Sequence, residues 1–161
     1  MYYKANILYK CLRYHAQKNM SILFCRTKDM DQIIIPKASK EIMIKQAVKE
    51  FPHECCGLLL GKNRKIKHTI PMKNIEPSPD SYIMDPLQQV EIFTEMKKKG
   101  EHLIGIYHSH PKGPSIPSSA DLKLAFHQDA IYVIITLEDR NNPELSTFIL
   151  EKGSFKEVEL I

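Results

Sequence analysis

The amino-acid sequence predicts a mixed α/β fold in which a mixed β-sheet carries helices on its faces. The first observation is a series of short apolar runs of strand length, such as residues 56–61 and 131–137, bounded by turn residues. The second is a set of longer segments that begin at capping residues and repeat their apolar residues with helical spacing. A chain of 161 residues is expected to form one domain.

Charge is distributed unevenly along the chain. Residues 1–30 carry a net charge of +5, whereas residues 31–161 sum to −1, which argues against a basic nucleic-acid surface on the main body. We interpret residues 1–30 as a basic extension, disordered or helical, or as sequence upstream of a true start at Met30. The folded domain is therefore expected over residues 31–161. No membrane-spanning helix is expected, because no run of eighteen apolar residues occurs.

The four cysteines do not form a recognisable metal or redox motif. They occupy positions 11, 25, 55 and 56, with neither a Cys-x-x-Cys pair nor a zinc-knuckle spacing. Cys55 and Cys56 adjoin an apolar run, so we interpret them as reduced packing residues. Reduced thiols indicate a reducing compartment and hence a cytoplasmic location.

The start of the domain combines a short strand with a helix. Residues 33–35 predict a strand that Pro36 closes, and Ser39 is expected to cap a helix running to about Phe51. Pro52 ends this helix. Its apolar face is predicted to consist of Ile42, Met43, Ala47 and Phe51.

Strands and helices alternate through the rest of the domain. In order, we predict a strand over 56–61, a turn at 62–64, a partner strand over 65–72, a loop over 74–80, a helix from Asp85 to about Lys99, a strand from Leu103 to Pro111, a helix from Ser118 to about Gln128, and strands over 131–137, 145–150 and 155–160. The helix after residue 80 is well defined because Asp85 can cap it, Pro86 suits its first position and Gln88 its third.

The strand that ends at Pro111 carries two histidines at alternate positions. Side chains at i and i+2 leave the same face of a strand, so His108 and His110 are expected to point to one spot while Ser109 points away. Pro111 cannot donate to a ladder and ends the strand.

An aspartate follows these histidines after a loop rich in Pro, Gly and Ser. Asp121 lies in the first turn of the helix that Ser118 opens, from where its carboxylate can turn back toward His108 and His110. The same Ser118-x-x-Asp121 pattern fits a capping box, which requires no metal. Both interpretations remain open at this point.

Two imidazole nitrogens and one carboxylate oxygen would make three protein ligands. Catalytic zinc sites have three, and the fourth position is left to water, which then needs a general base. Glu54, at the junction between a predicted helix and a buried strand, is the candidate base. His53-Glu54 does not start an HExxH motif, because Gly57 stands where the second histidine would be. The histidines without ligand-spaced partners are His15, His53, His68, His102 and His127.

Together these motifs resemble one known family. Glu54-x-x-Gly57, then His108-Ser109-His110-Pro111, then Ser118-x-x-Asp121 is similar to the pattern of the JAMM (MPN-plus) metallopeptidases. The resemblance covers roughly residues 31–160 and is strongest to the small stand-alone prokaryotic members. It implies a JAMM/MPN-like fold, of the cytidine-deaminase-like type, with a curved mixed sheet.

The resemblance also implies a role for each matched residue. His108, His110 and Asp121 would bind Zn²⁺, Glu54 would be the general acid/base, and the Ser118 hydroxyl would support the oxyanion of the tetrahedral intermediate. The family hydrolyses amide or isopeptide bonds at the C-terminus of ubiquitin or ubiquitin-like proteins, and small bacterial members release an amino acid from sulfur-carrier proteins. A partner with a Gly-Gly-type tail is therefore implied.

An extended tail could be held by strand addition between the loop at 74–85 and the strand before His108. Asn74, Tyr82 and Ile106 are the candidate substrate contacts. Three other functions are compatible with parts of the pattern. They are a non-catalytic scaffold with the same fold, a non-haem Fe(II) enzyme using the two His and the carboxylate as a facial triad, and a deacylating or DNA-linked member of the family.

Overall fold

The structure is a computed structural model, and it describes residues 34–159. The predicted basic extension at 1–30 and the first residues of the predicted domain lie outside the described residues. The helices and strands of the described part are, in order, α1 (Lys37–Glu50), β1 (Cys56–Lys62), β2 (Lys65–Met72), α2 (Pro86–Lys98), β3 (His102–His110), α3 (Ser119–Leu124), β4 (Ile131–Thr136), β5 (Glu144–Glu151) and β6 (Ser154–Glu157).

The six strands form one mixed sheet, as the sequence predicts. Their order is β2-β1-β3-β4-β5-β6. β3 and β4 run parallel, whereas every other neighbouring pair is antiparallel. β3 thus occupies a central position with hydrogen-bonded strands on both sides, which makes its C-terminal end a rigid support for side chains.

Helices cover both faces of the sheet. On one face, Met43 and Ala47 of α1 pack in the same buried cluster as Leu59 and Tyr107. On the other face, α2 packs its partly buried Ile92, Phe93 and Met96 against Leu58 and Leu60. Leu58, Leu59 and Leu60 divide between the two clusters because successive side chains of a strand point to opposite faces. This two-sided burial explains why β1 is a continuous apolar run.

Two predictions for the segment before β1 are wrong, namely the strand that ends at Ile35 and the helix cap at Ser39. Ile34 and Ile35 do not form a strand, and α1 begins at Lys37, two residues before the predicted cap. Pro36 holds φ at −56°, and its carbonyl accepts from the amides of Ser39 and Lys40, so the proline starts the helix instead of closing a strand. Ser39 is consequently a buried residue inside α1.

Two further boundaries and one core residue differ from the prediction. Ile42 does not belong to the buried face of α1, since it is 40% exposed. The helix after Ser118 ends at Leu124 instead of near residue 128, because the Tyr132 hydroxyl binds both the amide and the carbonyl of His127 and draws the chain out of the helix. The last strand ends at Glu157 instead of residue 160.

The central hairpin and α2 agree with the prediction. Asn63 and Arg64 adopt positive φ in the turn between β1 and β2. Asp85 caps α2 by accepting from the amides of Leu87 and Gln88. The Gln88 side chain does not return to the cap but accepts from the amide of Lys73, which ties the start of α2 to the end of β2.

Candidate metal centre and active site

The end of β3 presents two imidazoles on one face of the sheet. The Nε2 atoms of His108 and His110 lie 3.0 Å apart, as the alternation of the strand predicts. His108 is paired with Cys56 of β1 and with Ile134 of β4, so both neighbouring strands fix its backbone. These two side chains therefore converge without any loop rearrangement.

Asp121 joins the two histidines from the first turn of α3. Its Oδ1 lies 3.1 Å from Nε2 of His108, and its Oδ2 lies 3.5 Å from Nε2 of His110. The capping box is also present, because the Ser118 amide donates to Asp121 Oδ2 at 2.7 Å and the Asp121 amide donates to Ser118 Oγ. The capping box and the metal-ligand interpretation are thus compatible, since the cap aims the carboxylate at the imidazoles.

Hydrogen bonds of the loop at 111–118 fix the tautomer of His110. Its Nδ1 lies 2.7 Å from the carbonyl oxygen of Pro114, and a carbonyl can only accept, so Nδ1 carries the proton. In the neutral ring Nε2 is then the unprotonated nitrogen, which is the form that binds a metal. The loop is held in turn by Thr136, whose hydroxyl donates to the Gly113 carbonyl at 2.7 Å.

Electrostatics favour the protonation states that metal ligands need at His108 and Asp121, whereas at His110 they favour the protonated ring, whose proton a metal would displace. Burial lowers the pKa of His108, which is 2% exposed, and so favours the neutral imidazole. Burial raises the pKa of Asp121, but hydrogen bonds from His108 and His110 outweigh it and hold the pKa well below its ordinary value. For His110, burial lowers the pKa while hydrogen bonds to Asp121 and Pro114 raise it, with a net upward shift.

The geometry of the three side chains fits a metal ion. Ligands of a tetrahedral zinc site, each about 2.0–2.1 Å from the ion, lie about 3.3 Å from one another. Nε2 of His108 lies 3.0 Å from Nε2 of His110 and 3.1 Å from Oδ1 of Asp121, which is close to that spacing. One ligand atom from each of the three residues lies within 4.8 Å of the other two. In the described part of the chain, His108, His110 and Asp121 are the group of ligand-type side chains that converges in this way. Nδ1 of His108 is buried without a hydrogen-bond partner among the described residues.

Glu54 lies two residues before β1 and is only 4% exposed. Burial raises the pKa of its carboxyl from 4.5 to about 8; the charge of His110 opposes this shift, and the charges of Asp121 and Asp80 add to it. The carboxyl is therefore close enough to two of the three ligand side chains to sense their charges. A buried carboxyl with a raised pKa beside a ligand cluster is typical of a functional group.

The pKa of Glu54 predicts how the stability of the metal-free protein depends on pH. The folded state keeps the Glu54 proton up to about pH 8, whereas the unfolded chain releases it near pH 4.5. The free energy of unfolding should therefore fall as the pH rises between these two values. Glu54→Gln has no such proton to lose. The free energy of unfolding of the variant should therefore rise relative to that of the wild type as the pH increases from 4.5 to about 8, by on the order of 2–5 kcal/mol.

Chemical denaturation of chelator-treated protein between pH 4 and pH 9 measures this effect. Glu76→Gln, at an exposed glutamate of the neighbouring loop, is the matched control and should follow the wild-type profile. Parallel profiles for Glu54→Gln and the wild type would show that Glu54 titrates normally and is not held in the buried position.

The three predicted substrate contacts lie around the site but differ in their surroundings. Tyr82 stacks near His108, with ring centroids 5.0 Å apart, and burial raises the pKa of its phenol well above the ordinary value. Ile106 precedes His108 by two residues on the same face of β3 and packs with the apolar cluster beneath α2. The carboxamide of Asn74 binds the backbone of its own loop and of Glu54.

Ser109 is a site residue whose role the sequence analysis did not identify. It is fully buried, its Oγ accepts from the Cys55 amide at 2.9 Å, and its own amide donates to the Cys55 carbonyl at 3.1 Å. The residue between the two histidines thus anchors the residue that follows Glu54. A signal was available, since a serine pointing into a core from a central strand needs a polar partner there.

In the described residues, the histidines that lack ligand-spaced partners in the sequence do not join the cluster of His108, His110 and Asp121. His53 and His102 are exposed, and His68 pairs with Glu101 at 3.2 Å. His127 contributes its backbone to Tyr132, and His15 lies outside the described residues. Cys55 and Cys56 are free and buried, as expected for packing residues, and burial raises the pKa of the Cys55 thiol to about 12.

A mixed sheet with two histidines ending a central strand, an aspartate opening the next helix and a buried glutamate nearby defines a JAMM-type domain. The family model of prokaryotic homologues of the JAB domain matches residues 36–149, and the chain belongs to this family. The family resemblance of the sequence is therefore confirmed, as are the fold class and the assignment to the JAMM-type hydrolases.

Similarity to individual proteins extends over most of the chain. The CysO-cysteine peptidase of Mycobacterium tuberculosis is 36% identical over 118 residues, covering 71% of this chain and 80% of the relative. The desampylase of Pyrococcus furiosus is 29% identical over 130 residues, covering 80% and 89% respectively. The solution structure of protein DSY2949 from Desulfitobacterium hafniense superposes with a TM-score of 0.69 at 33% identity, covering 81% of this chain and 90% of that one.

None of the helices in the described residues has both the length and the apolar composition to cross a membrane.

Proposed function

We propose that this chain is a zinc-dependent hydrolase that cleaves an amide or isopeptide bond at the C-terminal tail of a ubiquitin-like or sulfur-carrier protein. The observation that carries the proposal is the convergence of His108, His110 and Asp121 beside the buried carboxyl of Glu54. Scaffold members of the fold have no need of such a set. A non-haem Fe(II) function would leave Glu54 without a task.

The three converging side chains would hold the zinc ion. A zinc ion with three protein ligands supplies a bound water whose pKa is near 7 and polarises the carbonyl to be attacked. Two neutral imidazoles and one ionised carboxylate are the donor set that this ion accepts. His110 is kept in the required tautomer by the Pro114 carbonyl, and His108 is kept neutral by burial.

Glu54 is proposed to move the proton. As a carboxylate it accepts a proton from the attacking water, and as a carboxylic acid it delivers that proton to the departing amine. A pKa raised by burial suits the second half of this cycle, because the acid form is then populated near neutral pH. The positive charge of a metal held by the three side chains would favour the ionised form needed for the first half.

Ser118 is proposed to stabilise the oxyanion of the tetrahedral intermediate. Its hydroxyl donates to Asp121 Oδ2 at 2.6 Å, and the side chain is at the rim of the ligand cluster. Rotation about one side-chain bond would turn this donor from the aspartate to the substrate oxygen. The exposed position of Ser118 leaves room for that substrate group.

The names of the relatives support the substrate class. One acts on a CysO-cysteine adduct, and another is a desampylase, so both remove a group from a small carrier protein. An extended Gly-Gly-type tail is proposed to lie between the loop at 74–85 and β3, with Tyr82 and Ile106 among the residues beside it. The reaction is proposed to take place in the cytoplasm, on the domain at 31–161 and without a contribution from residues 1–30.

Cleavage of a defined conjugate tests this proposal. The full chain loaded with zinc should release the group attached to the tail when it is incubated with ubiquitin-like or sulfur-carrier conjugates ending in Gly-Gly, and mass spectrometry of both fragments locates the broken bond. Chelation should abolish the reaction and added zinc should restore it. Intact conjugates after incubation with the zinc-loaded chain, across a panel of Gly-Gly-tailed carriers, would contradict the proposed function.

A further inference from the structure

The loop at 74–85 is attached to the backbone of Glu54 through the side chain of Asn74. Nδ2 of Asn74 donates to the Glu54 carbonyl at 3.0 Å. Oδ1 of the same side chain accepts from the amides of Glu76 and Ile83 at 3.1 and 3.0 Å. One carboxamide therefore closes the loop on itself and ties it to the residue that carries the candidate base.

Two separate parts of the chain form hydrogen bonds to the backbone on both sides of the Glu54 side chain. The loop holds Glu54, whose amide donates to the Ser78 carbonyl at 2.8 Å and whose carbonyl accepts from Asn74. β3 holds Cys55 through the amide and the hydroxyl of Ser109. The backbone around Glu54 is therefore hydrogen-bonded on one side to the loop and on the other side to the strand that carries the two histidines.

We propose that Asn74 is a positioning residue that orients Glu54 toward the ligand cluster, instead of a residue that contacts the substrate. The proposal rests on the proposed function of Glu54 as general base. It replaces the substrate contact that the sequence suggests for Asn74, because all the hydrogen bonds described for its carboxamide are made to backbone groups within the chain.

Glu54 depends on the loop for its orientation because it lies between α1 and β1, outside the hydrogen-bonded ladder of the sheet. Residues 51–55 precede the first paired residue of β1, so no strand partner fixes the carbonyl of Glu54. Losing the Asn74 donor would leave this peptide held only through its N–H, which donates to Ser109 Oγ, so the peptide could tilt and the Cα–Cβ bond of Glu54 would move with it. A displacement of about 1 Å at a reacting group can lower a rate by about 100-fold.

Two substitutions separate the tie to Glu54 from the closure of the loop. Asn74→Asp keeps an oxygen that can accept from the amides of Glu76 and Ile83, but it places a carboxylate against the Glu54 carbonyl. Asn74→Ser keeps a short acceptor for the nearby loop amides and loses the reach to Glu54. Ser81→Ala is the matched control, since it truncates an exposed serine of the same loop that has no part in holding Glu54.

The test is the separate measurement of kcat and KM with a synthetic peptide that ends in Gly-Gly and carries an amide-linked aminomethylcoumarin. Each variant is zinc-loaded, and its zinc content and Tm are measured alongside. For each Asn74 variant that folds, we expect kcat to fall about 10- to 100-fold with KM and zinc content unchanged. Ser81→Ala should match the wild type in both constants.

A higher KM with unchanged kcat would overturn the proposal, because it is the signature of a lost substrate contact. Unchanged kcat and KM would overturn it as well. If neither variant folds, hydrogen exchange of the Asn74 side-chain amide in the wild-type protein is measured instead. Fast exchange would contradict the hydrogen bond from Asn74 to the Glu54 carbonyl, and protection from exchange would support it. A wild type that does not cleave the peptide or any Gly-Gly conjugate removes the proposed function and this inference together, whereas an active wild type with unaffected Asn74 variants removes only the inference.

Discussion

Glu54→Gln should abolish hydrolysis while leaving the metal site intact. Glutamine has nearly the same shape as glutamate, but it cannot accept a proton from water or return one to the leaving amine. A general base contributes about 10²–10⁴-fold to a rate, so kcat should fall by that factor. Zinc content should stay at the wild-type level, because Glu54 is not among the three converging side chains.

The measurement is steady-state hydrolysis of a Gly-Gly-tailed conjugate together with elemental analysis of the same samples. Glu76→Gln is the matched control, since it makes the same chemical change at an exposed glutamate. Turnover near the wild-type rate in Glu54→Gln would remove Glu54 as the base. Loss of zinc from that variant would instead make Glu54 a ligand, which is a different site from the one described here.

His110→Ala should lose zinc and, with it, the stability that zinc confers. The substitution leaves His108 and Asp121 as a two-ligand site, and it removes the imidazole that the Pro114 carbonyl orients. Zinc at about 100 times its dissociation constant should raise the free energy of unfolding of the wild type by about 2.7 kcal/mol. That increment should disappear in the variant, and activity should disappear with it.

Thermal unfolding with and without added zinc measures this difference. His53→Ala is the matched control, because His53 is an exposed histidine next to Glu54 that takes no part in the ligand cluster. His53→Ala should keep the full zinc-dependent increase in Tm. An equal increase in His110→Ala would show that zinc binds elsewhere on the chain.

Local patterns were sufficient to predict the ligand cluster. His108 and His110 share a face because they are two residues apart on a strand, and this requires no knowledge of the fold. Asp121 is aimed by its capping box with Ser118, which is also encoded within four residues. The family resemblance then implied the JAMM/MPN-like form of the fold and the general acid/base role of Glu54, which lies 54 positions before His108.

Long-range contacts decided the features that the sequence analysis missed or misplaced. The tie between Asn74 and Glu54 joins residues 20 positions apart, and no spacing rule connects them. α3 ends at Leu124, before the predicted end near Gln128, and the backbone of His127 beyond it is hydrogen-bonded to the hydroxyl of Tyr132 in the following strand. Pro36 was misread because a proline can end a strand or start a helix, and only the path of the chain distinguishes the two.

The metal content of the full chain tests the central claim most directly. Protein purified without chelator and analysed by inductively coupled plasma mass spectrometry should contain about one zinc ion per chain, and Asp121→Ala should contain almost none. Iron in place of zinc, or a wild-type protein that neither retains nor takes up zinc, would contradict the account of His108, His110 and Asp121 as a zinc site.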